Sequence, residues 1–425
     1  LKKPIDILRY LSRKKIIKIS FTNSQQVLLR FILGMLNIKI ISTWLGASGM
    51  VLLGQFNSFT QIISNFSGVG IHQGITKLCS QYKNSNKKRY LIIGNSLFLV
   101  TVLSLITSLI VYIFAAKISL YLLHSLQYYI YIKLSGFLTF SLSFNNAILS
   151  IFNGLENYKT YIRANIWFAI ITFLTSIPFI YYFNIDGAIT ALYLTSVINS
   201  FLAIYYSRKL IIPTLKAFSI SKYINKRLLG FGLMLLFATS ISQLSSILIR
   251  NVIIEAYSME LAGWWEGVSR ISKNIFSLGV AALSLYYLPQ ISKNKKRIEL
   301  NKLIWDSIKI TMPIILIAIF IIFLSRELIV YFLFSSSFEG MENLFLYQNI
   351  GDAIRLFNWF FAITFIIKEK IKIYIISEIC MAIIYYTLIH SIIPFVTIEK
   401  STLPYLINNV IYLFLSQFLY RKYIL

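Results

Sequence analysis

The sequence predicts an all-α polytopic membrane protein of about twelve transmembrane helices, arranged as two six-helix lobes. Three observations carry that reading. Twelve apolar segments recur along the 425 residues, each roughly 20 residues or longer, enough to cross a hydrocarbon core of about 30 Å. The loops between them alternate in charge with strict regularity. A weak internal echo relates the first six segments to the last six.

The segments fall at about 19–41, 50–75, 90–114, 129–152, 160–182, 187–206, 228–252, 264–288, 303–325, 343–367, 371–393 and 402–420. A basic tail, residues 1–18, precedes the first (Lys2, Lys3, Arg9, Arg13, Lys14, Lys15, Lys18). No small-residue cleavage site follows it, so it is expected to be an uncleaved anchor. That tail, every second loop and the carboxy-terminal tail hold most of the 41 Lys and Arg. The opposite loops hold Lys117, Arg326 and Lys400 against Asp186, Glu255, Glu260, Glu327, Glu339, Glu342 and Glu399. Cytoplasmic loops keep the cations, so both termini are expected in the cytoplasm and the chain in a bacterial inner membrane. The loop at 207–227 divides the segments six and six, into lobes at 19–206 and 228–425. A polar-faced segment, a short glycine-containing turn and a second polar-faced segment occur at 20–75 and again at 234–288, setting Gly49 against Gly263. Both halves start on the same side, as in parallel repeats with a substrate site between them.

This topology disposes of other readings of the composition. A net charge of +26 and a pI near 9.8 would suit a nucleic-acid partner in a soluble chain, but 57% hydrophobic residues and a mean hydropathy of +0.72 exclude one. The charge is topological signal, with a secondary attraction to anionic membrane lipids. Cys79 and Cys380 form no CxxC, and His72, His124 and His390 have no metal-ligand spacing, so no metal or other cofactor is expected. No phosphate-binding loop and no large extramembrane loop is present, which argues against an ATPase or an enzyme and leaves no catalytic residue to assign.

The informative residues are polar ones within the spans, because hydrocarbon penalises them. Asn23, Gln26, Arg30, Gly34 and Asn37 share one face of segment 1; Asn57, Gln61, Asn65, Gly68 and His72 share one face of segment 2. Segment 7 repeats the pattern with Thr239, Gln243, Ser246 and Arg250, and segment 8 with Glu266, Arg270, Lys273, Asn274 and Ser277. Segments 3, 5, 6, 11 and 12 show much less of this. Four striped helices are therefore expected to share a water-filled cavity. Its charge is basic: Arg30, Lys39, Arg250, Arg270 and Lys273 face one obvious acid, Glu266. Each deep cation costs about 2.5–3.5 kcal/mol on insertion scales, so the cluster points to an anionic substrate. Lys39 can instead snorkel to the interface and Arg250 can cap its helix. Segment 10 carries Gln348, Asp352, Arg355 and Asn358; Asp352 and Arg355 can pair on one face, as a structural lock or as a coupling or gating site. Glu378 is the one acid of segment 11 and a candidate protonation site. Trp44, Trp264, Trp265 and Trp305 fit the aromatic belts.

Several stretches resemble Wzx-type lipid-linked oligosaccharide flippases, in order along nearly the whole chain: SNFSGVGIHQGITKLCSQY (64–82), FNNAILSIFNGLENYKTYI (144–162), GWWEGVSRISKN (263–274), SLYYLPQIS (284–292) and LFLYQNIGDAIRLFNWFFAI (344–363). The resemblance is to the branch with enterobacterial common antigen and O-antigen translocases. It implies the multidrug/oligosaccharidyl-lipid/polysaccharide exporter fold, with two lobes around a V-shaped cavity. It also implies transport of an undecaprenyl-diphosphate-linked repeat unit, and a polymerase and chain-length regulator as pathway partners. Arg270, Asp352 and Arg355 match charged positions of that pattern; Arg30 rests on the residue argument alone. One chain contains a whole cavity and is expected to act as a monomer. A cation-coupled drug exporter should carry acids in its cavity, a lipid II flippase should have fourteen spans, and a polymerase should have a large external loop.

Overall fold

A computed structural model of the chain describes residues 2–123, 125–216, 218–293, 297–368 and 370–424; side chains are described from Asn23 on, except at 24, 69, 231, 233–235, 237–238, 281–282, 284–290, 292–293, 297 and 371. The side chains of the basic tail, most of those in 284–292, and His124 therefore lie outside the described residues.

Twelve α-helices run through the described residues: α1 (Lys2–Phe66), α2 (His72–Gln81), α3 (Asn86–Leu123), α4 (Tyr129–Gly154), α5 (Tyr158–Lys216), α6 (Lys222–Ala256), α7 (Met259–Lys293), α8 (Arg297–Leu324), α9 (Arg326–Leu333), α10 (Phe345–Ile367), α11 (Ile371–Ile392) and α12 (Leu403–Tyr423). Eight helical stretches are long and apolar enough to cross a membrane. Two of them hold two crossings each. The backbone of α1 breaks at Gly46 (φ 66°) and that of α5 at Asn184 (φ 51°), left-handed positions suited to a glycine and an asparagine. Helices α6 and α7, 35 residues each, are also long enough to cross. Short α2 and α9 extend the second and ninth crossings. Helix also occupies most of 207–227, read above as a loop. Only 217–221 separates α5 from α6, and the Ser221 hydroxyl caps α6 by accepting from the Ile224 amide.

Outward faces carry Leu105, Leu109, Ile113, Phe137, Phe201, Ile314, Ile317, Phe320 and Phe414, all exposed. Hydrocarbon, not water, is the solvent for such a surface. The buried apolar residues divide unevenly between the two ends of the bundle. At the end carrying the basic loops there are two separate cores. One joins Ile75, Ile93, Val100, Ile148 and Phe152 of α2–α4; the other joins Ile304, Phe360, Phe361 and Tyr420 of α8, α10 and α12. At the far end a single core spans both lobes, from Met50, Phe56 and Ile132 to Ile253, Trp265, Phe338 and Ile389. The lobes thus meet at the far end and part towards the basic end, leaving a cleft between. Helix α6 crosses that cleft. Its Leu228 belongs to the first lobe's core, and Gly70 approaches Gly232 so closely that an added Cβ would lie 2.4 Å from the Gly232 oxygen.

Candidate functional site

Between the lobes lies a cavity of about 550 Å³, walled by α1, α4, α5 and α7. Helix α1 aims Arg30, Gly34 and Asn37 into it at successive steps of four and three, followed beyond the Gly46 break by Asn57. Helix α7 aims Arg270, Lys273 and Asn274 from the opposite side, and α4 and α5 add Asn146, Asn165, Ser176 and Thr195. The lining therefore contains three cations and five asparagines and no Asp or Glu. Arg30 and Lys273 are exposed to the space, and Arg270 is partly so. Arg270 shares the Glu266 carboxylate with Arg250, but the wall keeps a surplus of positive charge through Arg30 and Lys273, and such guanidinium and ammonium groups make a site for an anion.

Just beyond the cavity, towards the far end, one carboxylate is shared by two guanidinium groups. Glu266, 2% exposed, accepts from Arg250 Nε and from Arg270 Nε, each at 2.8 Å. Arg250, 1% exposed, crosses to the other lobe and donates to Gln55 Oε1 (2.6 Å) and Ser58 Oγ (3.2 Å), while Gln55 donates to Asn251. Arg270 reaches the Met50 carbonyl at 3.4 Å. The cluster fits because Gly54 has no side chain: a Cβ there would lie 2.7 Å from Glu266 Oε1 and 3.1 Å from Arg250 Nε. A second tie lies further out. Ser42 donates to the Leu333 carbonyl (2.7 Å) and accepts from Ser335 (2.8 Å), and Lys39 donates to the Phe332 carbonyl. Gly263 also sits against Ala47, 2.5 Å from the place of its Cβ to the Ala47 oxygen. The Glu266 pairs with Arg250 and Arg270 lie within the second lobe; the other contacts join the two lobes.

A second cavity, about 340 Å³, opens within the second lobe between α6, α7, α10, α11 and α12, and Lys273 lines both spaces. Behind its wall Asp352 accepts from Ser272 (2.6 Å) and Tyr405 (2.8 Å), with Gln348 at 3.5 Å. Arg355 lies over the Phe276 ring, 3.9 Å from its centroid. Glu378 accepts from the Tyr412 hydroxyl at 2.8 Å. Asp352 and Glu378 are thus held by hydroxyl donors. Among the described residues Asp352 and Arg355 form no ion pair within 4.0 Å, and Asp352 instead ties α7, α10 and α12 together.

Of the residues singled out in the sequence, the fold brings Arg30, Asn57, Arg270 and Lys273 to one cavity. Arg250 and Glu266 lie in the seal, Lys39 holds the end of α9, and Gln61 is exposed without lining the cavity. Two expectations change. Segments 5, 6, 11 and 12 do line the cavities, through Asn165, Thr195, Tyr374 and Tyr405 among others. Trp265 is 4% exposed and lines the second cavity, while Trp264 donates to the Ser337 carbonyl (2.8 Å), so neither simply joins an aromatic belt. The tyrosines were missed because an aromatic ring in a span reads as apolar; their repeated presence on α11 and α12 was the available signal. Gln55 and Ser58 were missed because they lie off the stripe of segment 2.

Comparison with known proteins follows the same architecture. The chain is 25% identical over 380 residues to the lipid III flippase of Escherichia coli (strain K12), covering 89% of this chain and 91% of that protein; the lipid III flippase of Shigella flexneri matches to the same extent. Among solved structures, the inward-facing conformation of a multidrug resistance MATE family transporter of the MOP superfamily superposes with a TM-score of 0.78 at 18% identity, over 93% of this chain and 94% of that one. The outward-facing conformation of such a transporter gives 0.62 at 17% identity, over 94% and 96%. A MOP superfamily transporter from Pyrococcus furiosus, noted for a binding pocket of reverse polarity, gives 0.63 at 17% identity over the same shares. These structures establish a shared two-lobed, all-α fold. The family model described as polysaccharide biosynthesis protein matches residues 18–295, well over half of the sequence, and the chain belongs to that family.

Proposed function

We propose that this protein is a flippase that carries an undecaprenyl-diphosphate-linked oligosaccharide repeat unit of a surface polysaccharide from the cytoplasmic to the periplasmic leaflet of the inner membrane. The observation that carries the proposal is the cavity wall: Arg30, Arg270 and Lys273 with five asparagines and no acid. A diphosphate brings negative charge that guanidinium groups bind in bidentate fashion, and asparagine amides both donate to and accept from sugar hydroxyls. Asn57 stands with the three cations as a substrate contact. A pocket for lipophilic cations would need carboxylates where these cations stand.

The basic end is assigned to the cytoplasm by its Lys and Arg, so the cleft opens to the side on which the substrate is made. The lobes at 19–206 and 228–425 rock about the cavity, giving alternating access. In this scheme Arg250, held by Glu266, closes the periplasmic latch on Gln55 and Ser58 of the first lobe, and Arg270, which reaches the Met50 carbonyl, belongs to both latch and cavity. A phosphate oxygen that engages Arg270 competes with Glu266 for it, so loading the site weakens the seal that must open next. An interior-negative potential favours outward movement of the anion by about 2.3 kcal/mol per charge per 100 mV.

Deletion in the native host tests the reading. Loss of the surface polymer with complete single units held on lipid in the inner leaflet supports it; unchanged surface glycan in a strain without a second flippase refutes it. Complementation separates the site from mere presence: Arg270→Ala is expected to abolish transport and Arg270→Lys to restore part of it. Full surface glycan with Arg270→Ala at native expression removes Arg270 from the site.

A further inference from the structure

We infer that the second cavity is a sugar-recognition subsite, holding a neutral sugar ring of the glycan while its diphosphate rests in the basic cavity. The inference rests on the flippase reading and adds to it where the glycan is read. The first argument is unmet hydrogen bonding. Trp265 Nε1, Asn358 Oδ1 and Asn408 Oδ1 are buried without a partner in the protein, and all three residues line this cavity. Trp265 and Asn358 are 4% and 1% exposed. Native proteins pair nearly all such atoms, and one donor with two acceptors, carried by residues of one wall and covered in this conformation, would complement a hydroxyl-bearing ligand once those side chains turn to meet it.

The second argument is the wall. Tyr374, Tyr385, Tyr405 and Trp359 surround the space with flat aromatic faces. Apolar faces with a few placed polar groups are the usual build of a ligand pocket, and the volume falls within the customary range of about 300–1,000 Å³. A sugar ring has the matching character, with C–H faces and a hydroxyl rim. The third argument is charge. Asp352 and Glu378 already accept from Ser272, Tyr405 and Tyr412, while Arg355 stands over Phe276. The acids are not left free for a cation, and among the described residues no group of three His, Cys, Asp or Glu could hold a metal. Finally, Lys273 borders both cavities. A diphosphate held by Lys273 places the sugar bonded to it at the mouth of the second space.

The test uses the full chain in lipid nanodiscs and two probes: undecaprenyl diphosphate, and the lipid-linked glycan that accumulates in the host when this gene is deleted. The wild-type protein should bind the glycosylated lipid more tightly than the bare diphosphate. Trp265→Phe and Asn408→Ala should each cut the glycosylated lipid's affinity roughly fivefold to twentyfold, the effect of one lost buried hydrogen bond. Together they should bring it down to that of the bare lipid. Arg270→Ala should weaken both probes. Should either variant fail to fold, the wild-type fluorescence of Trp265 and Trp359 decides: the glycosylated lipid should shift it and the bare lipid should not. Equal wild-type affinity for the two probes overturns the subsite, as does a glycan advantage that survives the folded double variant. Unchanged binding of both probes in Arg270→Ala faults the basic cavity instead, and so the flippase reading beneath it.

Discussion

Glu266→Gln is expected to unlock the far end of the bundle while leaving side-chain shape intact. The carboxylate holds Arg250 and Arg270 at 2.8 Å each, in a seal where Arg250 is 1% exposed. The amide keeps one acceptor oxygen but no charge, so two guanidinium groups remain side by side without a counterion. Removing one partner of a buried ion pair costs about 3–5 kcal/mol. Arg270 is partly open to the cavity, which places this site near the lower figure. The Glu266 pairs themselves lie within the second lobe, and they aim Arg250 across the joint at Gln55 and Ser58, so the closed state feels the substitution through those hydrogen bonds. Loss of one such charged hydrogen bond, about 1.5–3 kcal/mol, shifts the ratio of far-end-open to far-end-closed molecules by roughly 10-fold to 150-fold. The assay places a single cysteine at Asn57 after replacement of Cys79 and Cys380. A membrane-impermeant maleimide is then applied from the periplasmic side. Labelling should quicken by about one to two orders of magnitude while the closed state still dominates, since its rate follows the open fraction. Unchanged labelling in a folded Glu266→Gln protein would refute the latch.

Other substitutions probe the same joint and its surroundings. Gly54→Ala pushes a methyl to 2.7 Å from Glu266 Oε1, so the cluster must shift and Asn57→Cys labelling should rise by a smaller factor, about tenfold, in keeping with an overpacking cost near 1–3 kcal/mol. Gly263→Ala meets the Ala47 backbone oxygen at 2.5 Å, and backbone cannot step aside as a side chain can. It should therefore separate the lobes at the far end as well, and a labelling rate equal to the parent's would contradict that packing. At the basic end, burial pushes the Cys79 thiol up to about 12. A raised pKa keeps the group as thiol throughout the range below it, so its maleimide labelling should stay negligible from pH 7 to 9 in folded protein. Exposed Cys380 should react with a lipid-permeant reagent, as peptide mass spectrometry would show.

How far the sequence could be read depended on what each residue had to satisfy. Span number and spacing followed from the length of a hydrocarbon core, and no packing was needed to see them. Even the two backbone breaks, at Gly46 and Asn184, fall in the gaps 42–49 and 183–186 that segment length leaves between spans. The polar stripes of segments 1, 2, 7 and 8 were legible because a polar group in hydrocarbon always requires a reason. The reason itself was not. Arg250 and Arg270 are both single arginines on polar stripes, yet one is enclosed by Gln55, Ser58 and Glu266 while the other turns an edge to the cavity. The difference lies in partners almost 200 residues away. Lys39 was ambiguous for the same cause: the Phe332 carbonyl it meets comes from the other lobe.

By itself, then, the sequence determined an all-α chain that spans a membrane many times, the polar stripes of its interior and the family resemblance, because composition, period and charge are properties of the chain taken locally. Tertiary structure alone placed the two cavities described above, put tyrosines of α11 and α12 in the wall of one of them, and paired Arg250 with Glu266, Gln55 and Ser58 outside the lining of the basic cavity. Those outcomes depend on which side chains meet across lobes. A buried charge becomes a latch or a ligand site according to whether a counterion or open space lies within about 4 Å of it.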